Sequence, residues 1–209
     1  MRQHTRLLFA AGLLTACAAA SPPPNDESEA AKAAVLKHAA QVGKKSWAEL
    51  VKEAAPVARK HELFDLMGVL RKRDPEDPRS GLGVGARPGA IKPDGIDAKL
   101  IRLAGRVRPA DLENAKDLIR MAEVTAALAS ITFHRNEPVF MKRQKWEQLC
   151  TEMHDASLDF IDAVKGKDIT KVENTARILS DTCAACHRPG VPRLRPAARK
   201  PIPRNIRKP

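Results

Sequence analysis

The chain has 209 residues and a formal charge of +12, with no Tyr, five Phe and two Trp. So few aromatics beside abundant Ala, Leu, Lys and Glu argue against a β-sandwich and for one all-α domain. A basic excess of this size often signals nucleic acid, but the export signal described next removes the chain from it, leaving acidic proteins or anionic envelope surfaces as partners.

Residues 1–20 read as a targeting segment. Arg2, His4 and Arg6 make a basic start, and Leu7 to Leu14 an apolar run far short of the ~20 residues that span a bilayer. The run ends at Leu14-Thr15-Ala16-Cys17, which resembles the lipobox of bacterial lipoproteins, so residues 1–16 are read as a signal peptide and Cys17 as the lipidated new N-terminus. This places the protein in the cell envelope on the periplasmic side, held by a lipid. The alternative cut follows Ala18-Ala19-Ala20 and releases a soluble periplasmic protein starting at Ser21. With either cut Arg2 and Arg6 go, and the formal charge falls by two, from +12 to +10. Residues 17–29 are read as anchor and Pro-rich spacer, on the strength of Ser21-Pro22-Pro23-Pro24-Asn25-Asp26.

A helical domain is expected over 30–188. A short extra N-terminal helix runs from Ala30 to Ala40 and ends near Gly43. Ser46 with Glu49 forms a capping box that starts the next helix, with Trp47 at its head. Leu50, Ala54, Val57, Leu63, Phe64, Met67 and Leu70 mark its inward side, Pro56 predicts a kink or break partway, and Arg71-Lys72-Arg73 ends it. Residues 74–93 form a Pro- and Gly-rich loop whose Gly81-Leu82-Gly83-Val84-Gly85 is not a phosphate loop: no strand precedes it, no Gly-Lys-Ser/Thr follows, and the third Gly falls one residue early for a dinucleotide fingerprint. It predicts a tight turn with positive φ. A short helix follows from about Asp94 to Ala104. Pro109 suits the first turn of the next one, whose Leu112, Ala115, Leu118, Ala122, Thr125 and Ala129 recur at helical steps up to about His134. Trp146, Leu149, Met153, Ala156, Phe160 and Val164 mark another, ending near Gly166.

Asp168 or Thr170 caps the last helix, in which Val172, Ala176, Leu179, Cys183 and Cys186 lie four, three, four and three residues apart. Its end carries Cys183-Ala184-Ala185-Cys186-His187. Two cysteines three apart followed at once by histidine are what covalent attachment of one haem c requires, each thiol adding to a vinyl group and the imidazole becoming an axial iron ligand. On a helix the three side chains fall within an arc of roughly 100°, so one turn presents them all to one haem. The competing uses of Cys-x-x-Cys lack their context: a redox dithiol wants a βαβ unit, and a zinc site wants a second ligand pair. Because the cysteines continue the apolar stripe, the porphyrin is expected inside the helical packing. From Arg188 onward there are eight Lys or Arg, six Pro and no acid, so 189–209 read as a disordered basic tail. Cys150 reads as a buried, inert thiol on a helix stripe, Met121, Met141 and Met153 as core filler, and His38, His134 and His154 as surface or capping histidines. No acid, base and nucleophile constellation argues for an enzyme.

Four amphipathic helices with Cys183-Ala184-Ala185-Cys186-His187 on the last of them resemble the class II c-type cytochromes, meaning cytochrome c prime and its low-spin relatives. The resemblance covers roughly residues 46–188. Gly81-Leu82-Gly83-Val84-Gly85 through Ile96 is similar to a loop in uncharacterised exported members of the group. The family implies a left-handed four-helix bundle with the haem on the C-terminal helix and His187 as proximal ligand. Low-spin members add a methionine from the first bundle helix, and Met67 matches that helix; cytochrome c prime keeps an apolar residue and an open iron. His61 is the rival, about 120° round the helix from Met67, so that one of them faces the haem. The family's last helix usually continues past the histidine to a basic residue, whereas here Arg188-Pro189-Gly190 ends it. Function divides accordingly: electron transfer between acidic redox partners with Met67 on the iron, or gas binding and sensing (NO, CO) with an open iron. The family often dimerises through its first two bundle helices.

Overall fold

A computed structural model describes residues 24–74, 76–77, 80–135 and 141–187. The segment read as an export signal, with Cys17 and Ser21, and the segment read as a basic tail, from Arg188, lie outside the described residues. Among the described residues the fold is all-helical, without strands. None of its helices is long and apolar enough to cross a membrane.

Seven α-helices follow in order: α1 (Pro24–Ala39), α2 (Trp47–Lys60), α3 (Leu63–Gly68), α4 (Ile96–Gly105), α5 (Ala115–Thr132), α6 (Arg143–Lys165) and α7 (Ile169–His187), with a 3-10 helix at Pro109–Asn114 leading into α5. α1 starts at Pro24, so its first turns take in residues read above as spacer. The expected capping box forms at α2, where Ser46 N–H donates to Glu49 Oε2 at 2.9 Å and Glu49 N–H to Ser46 Oγ at 3.4 Å. Pro56 does not break the helix. α2 runs through it to Lys60 and stops at His61, which leaves helical geometry with ψ 143 and bonds back to the Val57 carbonyl.

α5 packs against α6, α6 against α7, and α7 against α4; α1 and α2 lie on α5, and α3 on α1. The interior of this assembly is Leu50, Leu66, Leu103, Leu118, Leu128, Phe160 and Leu179, each fully buried and each worth about 1.5–3 kcal/mol relative to exposure. Antiparallel pairing of α4 and α7 is fixed by two polar contacts: Arg177 donates to the Ala104 carbonyl at 3.4 Å, and Val107 N–H donates to Glu173 Oε2 at 3.4 Å.

The Gly-rich loop has the expected positive φ at Gly83 (+66°) and Gly85 (+98°). Asp94 gathers it: one carboxylate oxygen accepts from Val84 N–H at 2.9 Å and from Arg73 at 3.0 Å, the other from Gly89 N–H at 3.0 Å. These bonds hold the Asp94 carboxyl below the usual carboxylate range against the opposing effect of burial. The loop thereby delivers the chain to the start of α4 in a defined position.

Candidate functional site

α7 is built to hold its last turn still. Asp168 is the cap, accepting Lys171 N–H at 3.0 Å, and Val172, Ala176, Leu179 and Thr182 form the buried stripe beyond it. Cys183 and Cys186 continue that stripe but are only half-buried, and His187 is exposed. Two elements act on them. Asp97 at the head of α4 acts electrostatically on the Cys183 thiol, and Cys150 of α6 interacts with Cys186. Cys150 is backed in turn by the end of α5, with Thr132 Oγ1 3.7 Å from Cys150 Sγ and the Thr132 carbonyl accepting from Trp146 Nε1 at 2.8 Å.

None of Cys150, Cys183 and Cys186 is in a disulfide. Burial pushes the Cys183 thiol up to about 12, with Cys186 and Asp97 adding to the rise. It does the same to Cys150, also to about 12, against a lowering contact from Thr132. A dithiol that exchanges disulfides needs a thiol lowered towards neutrality, and Cys183 is displaced the other way. Among the described residues no group of three or more His, Cys, Asp or Glu side chains could hold a metal ion, so Cys183, Cys186 and His187 do not converge on one ion as a zinc site requires. What remains is two thiols outside any disulfide, on one helical turn beside an exposed imidazole. That donor set fits a haem c, whose cysteines bind the porphyrin edge while histidine alone binds the iron.

The surroundings of the motif are helical on two sides, with α4 and α6 packed against α7. Two cavities lie away from it, one of about 500 Å³ between α1 and α2 and a much smaller one beside Met121. The helix alongside α7 opposite α6 is α4, which carries no methionine. Met67 is half-buried in α3, packed against the hydrophobic core. Its segment meets the start of α4, where Asp97 N–H donates to the Leu70 carbonyl at 3.2 Å and Arg73 pairs with Asp94 at 3.0 Å.

His61 is buried and lines the cavity between α1 and α2, and the charged groups acting on it, Lys60, Asp65 and Glu27, belong to neither α4, α6 nor α7. His38 and His154 are buried rather than at the surface. His38 Nε2 meets Ser130 Oγ at 2.8 Å, and His154 packs on the Trp47 ring at 4.6 Å; burial lowers the pKa of both. His134 is half-buried and caps no helix end, its Nε2 lying 2.6 Å from the Val51 carbonyl in the interior of α2 and so tying the end of α5 to that helix. Met121 and Met153 are buried core residues and Met141 is half-buried.

One polar cluster was not anticipated. Asp111, in the 3-10 helix, is buried between Lys99 (3.5 Å) and Arg102, whose two terminal nitrogens both reach the carboxylate, one of them at 3.0 Å, and it also accepts Arg108 N–H at 2.9 Å. Burial opposes its ionisation, yet Arg102, Arg108 N–H and Lys99 bring it from 3.8 down to about 2. The only signal in the sequence is the Arg108/Asp111 spacing; Lys99 and Arg102 come to it from α4.

No family model, curated protein or solved structure matches the chain.

Proposed function

We propose that the protein is an exported mono-haem c-type cytochrome of the class II kind, a four-helix bundle carrying haem c on its C-terminal helix and acting in electron transfer. The observation that carries this reading is the end of α7: Cys183 and Cys186 on one turn, neither in a disulfide, with His187 adjacent and exposed. Cys183 and Cys186 would form the thioethers and His187 would supply the proximal imidazole. Bound haem supplies a one-electron iron couple. The residues of the chain hold it: α4 and α6 flank the motif, the Asp168 cap and the Leu179 stripe fix α7, and Met67 is the sixth ligand proposed from the helical region before the Gly-rich loop.

The N-terminus, on this reading, is lipidated Cys17, which keeps the protein on the periplasmic side of the envelope; a cut before Ser21 is the soluble alternative. The basic chain suits acidic redox partners, and pairing of two copies follows the family's habit.

A second reading has a specific observation in its favour. Because α4 rather than Met67's helix lies beside α7, an iron on His187 with no side chain opposite, binding NO or CO, fits the packing as well. The optical spectrum of the purified protein, oxidised and reduced, tests both: a low-spin spectrum with haem retained on denaturing gels supports the electron carrier, a high-spin spectrum the gas binder. Complete extraction of haem by acid acetone overturns both.

A further inference from the structure

The cavity of about 500 Å³ between α1 and α2 falls within the usual size range of small-molecule sites and is not used by the haem reading. Its wall carries two buried histidines with different standing. His38 is committed to the scaffold, with Nε2 at 2.8 Å from Ser130 Oγ on α5 and a backbone hydrogen bond to Leu50 on α2. His61, at the C-terminal cap of α2, is 8% exposed, lines the same cavity, and its ring has no hydrogen-bond partner among the described residues. Its ring nitrogens are not among the sealed, unpaired polar atoms of the described residues, so whatever fills the cavity, water or ligand, can meet the imidazole.

The charged side chains lining the cavity lean positive, Lys37, Lys45 and Lys60 against Glu53, while Glu27 and Asp65 also act on His61 from beside it. Lys45 and Glu53 pair with each other at 2.6 Å and largely cancel. Lys37 and Lys60 remain on the rim, both exposed, with no ion-pair partner among the described residues. Ala34 and Val57 add an apolar side to the wall. A hydrogen-bonding imidazole, two uncompensated ammonium groups and an apolar face in one concave site match a ligand with an anionic head and a hydrocarbon body.

We infer that this cavity binds a small organic carboxylate, its head on His61, Lys37 and Lys60 and its body against Ala34 and Val57. The inference is independent of the haem. Inorganic phosphate offers the charge without the body, and a neutral amide offers the body without the charge, so the three ligand types separate the contributions.

Calorimetric titration of the purified full-length mature protein with benzoate, benzamide and inorganic phosphate tests it, with helical content checked for each variant. Benzoate should bind saturably, at least about tenfold more tightly than benzamide or phosphate. Lys60→Gln, a surface change that leaves the fold alone, should weaken benzoate severalfold, and His61→Phe should abolish binding. Ala34→Phe, which fills the cavity from a half-exposed position on α1, should abolish it too. The inference is overturned by absence of saturable benzoate binding, by benzamide or phosphate binding as well as benzoate, or by benzoate affinity unchanged in folded Ala34→Phe.

Discussion

The Leu70 carbonyl accepts the Asp97 amide hydrogen at 3.2 Å, and the Asp97 carboxylate in turn acts on the Cys183 thiol. The end of the segment that carries Met67 is thus joined through one backbone bond to the helix that flanks the cysteine motif. Any ligand that Met67 provides reaches the motif from this corner, where the Gly-rich loop and α4 also meet.

Met67→Ala is accordingly the variant that separates the two functional readings. With Met67 on the iron, the oxidised wild type should show a sulfur-to-iron charge-transfer band that the variant loses, and the reduced variant should bind carbon monoxide quickly where the wild type does not. A wild type already high-spin, or a low-spin spectrum unchanged in the variant, assigns Met67 to packing alone.

Thiol counting checks the covalent attachment from the other direction. In the native protein Cys150 should resist alkylation, since it is 3% exposed and its thiol lies at about 12. If Cys183 and Cys186 are thioethers and Cys17 is lipidated or cleaved away, as proposed, Cys150 should be the only reactive thiol after denaturation; three reactive thiols would overturn the attachment. Mass spectrometry of the N-terminus distinguishes a lipidated Cys17 from one cleaved away, and an unmodified Ser21 terminus would refute the lipid anchor.

The acid side of the stability curve should carry the signature of Asp111. Its folded pKa is depressed from 3.8 to about 2, so its contribution is complete above the unfolded value and is lost as pH falls through about 2. That difference corresponds to roughly 2 kcal/mol of stability at neutral pH. Asp111→Asn should flatten urea-unfolding stability between about pH 4 and 2. Asp111→Ala, which strands buried Lys99 and Arg102, should cost about 3 kcal/mol or more near neutrality.

Removing the loop clamp should be felt in stability and at the start of α4. Asp94→Ala deletes acceptors for Val84 N–H, Gly89 N–H and Arg73, and the expected loss is about 2–4 kcal/mol by chemical denaturation. Hydrogen exchange should quicken at Val84 and Gly89 first, then at Asp97 if the loop positions α4 as the bonds indicate.

Leu179→Ala tests the anchoring of the motif's helix. Leu179 is fully buried one turn before Cys183, and its truncation should cost about 2–5 kcal/mol. A cost under about 1 kcal/mol would mean α7 is held by its flanks rather than by its stripe.

Legibility followed the reach of each interaction. The Ser46/Glu49 box, the Asp168 cap and the α7 stripe were readable because their partners lie three or four residues away. The break at His61 was misplaced to Pro56, since a proline removes one helical bond but packing of Leu50, Ala54 and Ala58 keeps α2 intact around it. His38 and His154 were misjudged because what buries them comes from far along the chain: Ser130 lies 92 positions from His38, and Trp47 belongs to α2. The spacing of Cys183, Cys186 and His187 announced the candidate site, but not that α4 would lie beside it, because nothing local in Ile96–Gly105 names its partner.

The half-buried position of Cys183, where α7 meets α4 and α6, bears on the order of assembly. On the haem reading, an enzyme joining a porphyrin to this sulfur would have freer access before α7 docks than after it, so attachment would precede folding and folding would seal it.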